Sequence, residues 1–238
     1  MPARFEPKTF TPKTFTPKTG ILPKPQQEIW PLLAPAPELS FVLYGGTAVA
    51  LHLGHRRSLD FDFFRSEALD KKALQAFAFM RDAQTIQEDE NTIVAIAPMV
   101  AGPVKVSFFG DMSIGRINDP LLTADSTLLV ASIDDLLATK LKTILDRAEA
   151  KDYQDIAAIL SAGASLEKAL GAFNKIWRKD PGLPLKALGY FKDGDLPSLS
   201  KVDQGLLRAA RDRVKAIPDV VLKRGSLAVG LGDMRRRS

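Results

Sequence analysis

The chain has 238 residues, 45% of them hydrophobic and 26% charged, with a net charge of +5 at neutral pH. That length suits one large domain or two small ones, and the absence of cysteine excludes disulfides and thiolate-held zinc. With only two histidines, His52 and His55, any metal would be held by oxygen, which favours Mg2+ or Mn2+. Residues 1–24 carry five basic residues and one acidic, and so do residues 220–238. The body between them is therefore acidic, and the basic character belongs to the ends. A basic end can touch nucleic acid, but it is at least as often a solvated end. The first residues lack the apolar run of a secretory signal. The longest apolar stretch, around residues 39–53, is broken by Gly45-Gly46 and is shorter than a span of roughly 18 residues. The expected setting is soluble and cytoplasmic, with no membrane partner.

In chain order, residues 10–19 repeat Phe-Thr-Pro-Lys-Thr. The repeat is too short for a solenoid and too polar and Pro-rich to fold alone, so 1–24 read as an extended, disordered arm. A short helix is expected over 26–33, a strand over 41–44, a helix over 47–53 stopped by Gly54, and a strand over 59–64. A helix over 70–81 would take Asp70 as its N-cap. Strands follow over 83–88, 92–97 and 104–109, the first two joined through Asp89-Glu90-Asn91. After a strand over 127–131 the texture turns helical: 133–147, 151–161, 166–178, 183–191 and 199–216. The predicted fold is α+β, a mixed sheet with flanking helices followed by a helical part. The expected divisions are 1–24, 25–131, 132–218 and a basic tail, 219–238.

Ser58-Leu-Asp-Phe-Asp-Phe-Phe64 places Leu59, Phe61 and Phe63 on one face of a strand and Asp60 and Asp62 on the other. Two rises of ~3.3 Å set their α-carbons about 6.6 Å apart, within reach of one ion or a closely spaced pair. Solvated acids on a half-exposed strand are the plain alternative. Gly45-Gly46 lies between a strand and a helix, where glycine lets backbone approach a ligand. The free N–H groups of the helix starting at Thr47 can hold an anion. Arg56 and Arg57 either add phosphate contacts, for which Arg57 is the candidate, or form a solvated loop. Together these features suit a nucleoside triphosphate with its metal, without the Gly-Lys-Ser/Thr of a Walker loop.

Ser132-Ile-Asp-Asp135 is a capping-box-like start. Lys140 lies within the apolar stripe of Leu136, Leu137, Leu141 and Ile144, with Arg147 on the same side. A lysine buried there needs an anionic partner. Asp152 and Asp155 share a face with Ile156 and Ile159 in the next helix. Either they pair with Lys140 and Arg147 to pin two helices together, or the group is catalytic, and the two readings are compatible.

Gly45-Gly46, thirteen residues, then Asp60-Phe-Asp62 resembles the nucleotidyltransferase signature of the DNA polymerase β superfamily. The block from Ser132 to Lys140, then Arg147 and Lys151-Asp152-Tyr-Gln-Asp155, resembles the AbiEii/AbiGii toxin branch of type IV toxin–antitoxin and abortive-infection systems. The resemblance spans about residues 40–160. It implies that Gly45 and Gly46 hold the triphosphate, Asp60 and Asp62 bind Mg2+, Lys140 binds phosphate, and Asp152 or Asp155 completes the site. It also implies NTP as substrate, transfer of a nucleotide to an acceptor such as tRNA, and a cognate antitoxin, expected to be a transcriptional regulator. The superfamily's third carboxylate falls at Ser107, while Asp111 has the right parity but lies past the strand. A nucleotide-binding module that has lost catalysis and acts through a protein partner is therefore the second reading. A glycosyltransferase, where Asp-x-Asp also occurs, is a weaker third.

Overall fold

The computed structural model describes residues 12–228. Eight strands form one mixed sheet: β1 (Thr14–Phe15), β2 (Val42–Tyr44), β3 (Asp60–Phe64), β4 (Gln84–Asp89), β5 (Thr92–Met99), β6 (Gly102–Phe109), β7 (Leu121–Thr123) and β8 (Leu129–Val130). Their spatial order is β1-β7-β8-β2-β3-β6-β5-β4. The helices are α1 (Lys24–Ile29), α2 (Gly45–Leu53), α3 (Ile133–Asp146), α4 (Ala150–Ser161), α5 (Leu166–Trp177), α6 (Gly182–Ala187) and α7 (Lys201–Arg213). This is the α+β architecture expected. No helix among the described residues is long and apolar enough to cross a membrane.

The period-two pattern of β3 places its residues as predicted. Phe61 and Phe63 are fully buried, while Asp60, Asp62 and Phe64 face the other way. β3 runs antiparallel to β2 and parallel to β6, so Asp62 lies beside Tyr44 on one side and Ser107 on the other. Beneath β3, Phe108 gathers Phe41, Phe63 and Phe77 at ring separations of 5.1, 5.5 and 5.0 Å. Each such ring contributes about 1.5–3 kcal/mol through burial, so the central strand is held rigidly from below. The texture changes from strands to helices near residue 131, yet one buried cluster runs from Leu22 to Ala228 and includes Leu136, Leu141 and Ile156.

Four expectations need correction. The helix over 70–81 is instead two short 3-10 turns, Ala73–Ala76 and Ala78–Arg81, separated by an extended Phe77. Phe77 and Phe79 are both buried. Two residues apart on an α-helix they would point about 200° apart, given 3.6 residues per turn, so burying both breaks the helix. Asp70 still accepts from the Lys72 and Ala73 amides at the start of this stretch. The arm is extended, but residues 12–22 are not free. β1 pairs with β7, Phe15 stacks on His52 at 4.3 Å, and Leu22 is buried. The tail is likewise docked over 219–228. Lys223 exchanges backbone hydrogen bonds with Arg116, Leu227 is buried, and its amide donates to Ser66 Oγ at 2.9 Å. Strand β7 was not anticipated. It is three residues long and pairs with both β1 and β8. Residues 1–11 and 229–238 lie outside the described residues.

Candidate active site

The acidic wall is built by register. Asp60 lies opposite Lys105 and Asp62 opposite Ser107 on β6. Lys105 Nζ is 3.1 Å from Asp60 Oδ2, and both side chains are about 39% exposed. Asp62 is half-buried. Desolvation pushes its carboxyl up and the Asp60 charge adds to this, while the Ser107 hydroxyl, Lys105 and Lys140 pull the other way.

The glycine turn closes over this wall. Gly45 has φ +75°, where a side chain is strained, and a Cβ there would lie 2.5 Å from Asp62 Oδ2. No side chain caps the start of α2, so its first amides are free to meet an anion. The Thr47 hydroxyl is engaged elsewhere. It is buried and donates to the Asp60 carbonyl, fastening α2 to β3 rather than facing a ligand.

The opposite wall is a buried chain of charges. Lys140 Nζ lies 2.6 Å from Asp152 Oδ1 and 2.6 Å from Asp155 Oδ2, and both carboxylates are 0% exposed. Arg147 reaches Asp152 through Nε at 2.8 Å and Nη2 at 3.2 Å. Arg56 reaches Asp155 through Nε at 2.6 Å and Nη2 at 2.8 Å, and His55 Nε2 lies 2.7 Å from the same carboxylate. Burial alone would raise the Asp155 carboxyl. The His55 hydrogen bond, the Lys140 charge and the Arg56 fork outweigh it and hold the group at about 2. Asp152 is held down in the same way, by Arg147 and Lys140 against burial. Both carboxylates therefore stay ionised, and their oxygens are occupied by Lys140, Arg147, Arg56 and His55.

The two walls are close enough to act on each other electrostatically. The Lys140 charge acts on Asp62, and the Asp62 charge acts on Arg147. An ammonium has three donors; two of those on Lys140 are engaged by Asp152 and Asp155, which leaves one. Arg147 is 46% exposed and keeps its Nη1 group unspent on Asp152. Lys140, Arg147, Arg56 and Lys151 set four positive charges against the carboxylates of Asp152, Asp155 and Glu149, so this wall is net positive by one. Arg57 stands apart. Its side chain is exposed and forms no ion pair among the described residues.

Among the described residues no three His, Asp or Glu side chains are placed to hold a metal together. Asp60 and Asp62 supply two hard oxygen donors, and Mg2+ commonly takes one or two carboxylates and completes its shell with phosphate oxygens and water. The elevated Asp62 carboxyl beside Asp60 is a setting that a cation relieves. The residues present fit such an ion. Ser107 is buried at the position expected for a third carboxylate, and Asp111 lies exposed beyond β6. A separate cavity of about 740 Å3, lined by residues including Met112, Ile114, Arg178 and Leu222, involves none of these groups.

Sequence reasoning chose Arg57 over Arg56 and overlooked His55 and Lys105. Lys105 was accessible, since it has the parity of Ser107 on the same strand. Arg56 and His55 precede β3 in a loop whose path no periodicity reports.

The fold is nucleotidyltransferase-like. A structure from H. pylori described as a candidate nucleotidyltransferase superposes with a TM-score of 0.51, covering 80% of this chain and 93% of that one at 17% identity. The chain belongs to the AbiEii nucleotidyltransferase toxin family of type IV toxin–antitoxin systems, whose model matches residues 32–219. That membership implies a cognate antitoxin. The chain is also 27% identical over 161 residues to the uncharacterised protein aq_aa25 of Aquifex aeolicus (strain VF5), spanning 64% of this chain and 74% of that protein.

Proposed function

We propose that the protein is a Mg2+-dependent nucleotidyltransferase toxin that moves a nucleotide from an NTP to an RNA acceptor, with tRNA the favoured class. The observation that carries this reading is the Asp60–Asp62 pair within electrostatic reach of a buried, net-positive wall, beside the uncapped start of α2. The triphosphate lies between them. Its oxygens meet the first amides of α2, the unspent Nη1 of Arg147 and the remaining N–H of Lys140. Asp60 and Asp62 hold the divalent ion, which supplies charge neutralisation for the phosphates. The acceptor hydroxyl attacks the α-phosphorus, the bond to the bridging oxygen of the β-phosphate breaks, and pyrophosphate leaves. With serine at position 107, the hydroxyl proton leaves through water. The antitoxin is a transcriptional regulator, and the toxin works on RNA in the cytoplasm.

The test is incubation of the protein with each radiolabelled NTP, total tRNA and Mg2+. Label enters RNA, entry requires the metal, and Asp60→Asn and Asp62→Asn each abolish it. Full labelling by both variants overturns the assignment. Ser107 favours a second reading, in which the protein binds NTP but transfers nothing and acts through a protein partner. Tight NTP binding without label transfer to any RNA would establish that alternative.

A further inference from the structure

The second glycine of the turn is glycine for a reason unlike the first. Gly46 does not have a positive φ, so its backbone makes no demand. Its surroundings do: a Cβ at Gly46 would lie 2.6 Å from Arg56 Nη2 and 2.9 Å from Ser58 Oγ. The guanidinium tip of Arg56 passes directly against the start of α2. It cannot swing aside cheaply, because its nitrogens are committed. Nε and Nη2 fork onto Asp155, and Nη1 donates to the Arg57 carbonyl at 2.9 Å. Each of its three nitrogens is tied by one hydrogen bond, which holds the guanidinium in place although one N–H on each Nη stays unspent. Its firmest link to the site is the two-point fork on Asp155.

Asp155 receives four contacts. Oδ1 accepts from His55 and from Arg56 Nε, and Oδ2 accepts from Arg56 Nη2 and lies 2.6 Å from Lys140 Nζ. A two-point fork fixes the plane of a carboxylate, whereas a single point charge does not. Fixing that plane fixes Oδ2, and Oδ2 together with Asp152 fixes where the third donor of Lys140 points.

We propose that Arg56 is a positioning residue: its fork on Asp155 aims Lys140 at the phosphate site, and Gly46 is glycine to let that fork pass. The inference rests on the nucleotide-binding reading above for its effect on NTP, but the clamp itself does not. Lysine at position 56 keeps the charge and loses the fork. Alanine at position 46 keeps Arg56 and displaces it. Both variants should therefore fail in the same way.

The experiment is a double-mutant cycle on the full chain, titrating MgATP, MgGTP, MgCTP and MgUTP and following whichever the wild type binds. Arg56→Lys and Gly46→Ala each weaken binding about tenfold, the scale of lost support behind a ligand-binding residue. In a Lys140→Met background each costs less than twofold, because the group they act through is gone. Equal losses in both backgrounds overturn the proposal and leave Arg56 a purely structural residue. A second readout needs no nucleotide. Acylation of lysine amines, mapped by mass spectrometry, proceeds about tenfold faster at Lys140 in either variant than in wild type, while Lys142 is unchanged. Unchanged labelling of Lys140 overturns the clamp. If the wild type binds no NTP, the nucleotide reading fails, and the labelling alone decides the clamp. If Arg56→Lys does not fold, Gly46→Ala carries both measurements.

Discussion

Asp62 is half-buried and Asp155 fully buried, and their surroundings act on them in opposite senses. Desolvation and the neighbouring Asp60 raise the Asp62 carboxyl, so its charge costs the metal-free fold stability. Asp62→Asn should therefore raise the thermal midpoint of the metal-free protein, while Mg2+ with NTP no longer raises it further. Differential scanning fluorimetry with and without ligand reads both changes. Asp155→Asn should do the reverse and lower stability by about 3–5 kcal/mol, because it leaves buried cations unpaired. The Asp155 carboxyl is held below its ordinary 3.8, at about 2. The unfolded chain thus binds this proton more readily. The stability it contributes is present above pH 3.8 and lost as the pH falls from there through about 2. Urea titrations across that window should show a steep acid limb in the wild type and a shallower one in Asp155→Asn. These residues also mark what could be read in advance. The alternation in Asp60-Phe61-Asp62 shows both acids on one face, and Lys140 inside an apolar stripe announces a buried partner. The shared face of Asp152 and Asp155 in the next helix supplies that partner, whereas the difference between Arg56 and Arg57 depends on how a loop crosses the start of α2.

At the scale of elements, periodic segments declare themselves and borrowed ones do not. α3 begins where its capping box places it, with Ser132 Oγ accepting from the Asp135 amide. β1 has no such signal. Two residues of a Pro-rich repeat become a strand only because β7 offers an unpaired edge and His52 offers a ring. β7 is in turn too short to read without β1 and β8 beside it. The break at Phe77 belongs to the same class, since it is decided by the aromatic cluster it joins. Phe15→Ala tests the borrowing. Stacking of this kind is worth about 0.5–1.5 kcal/mol, so its loss frees β1 without unfolding the chain. Hydrogen exchange should quicken at the Leu122 and Ala124 amides, which donate to Lys13 and Phe15, and stay slow at β6. Uniform acceleration across the sheet would show instead that β1 supports the whole fold.

At the scale of the molecule, the change of texture near residue 131 looks like a boundary in the sequence, but the buried cluster crosses it. Sequence periodicity reports which face of each helix is apolar; it does not report which sheet that face covers. Residues 12–131 expressed alone should therefore show no cooperative unfolding transition, since Leu136, Leu141 and Ile156 are missing from their core. Circular dichroism during urea titration would read this. A sharp transition in that fragment would establish two independent units.

The buried pairing of Lys140 with Asp152 and Asp155 has a consequence in time. On a ribosome, Asp60 and Asp62 emerge long before the residues that face them. Until residue 155 has left the exit tunnel, the nascent chain holds an acidic strand with no positive wall opposite. Under the proposed reading, a message cut short before that point yields a fragment without the completed site, so the activity proposed here is assembled only late in translation.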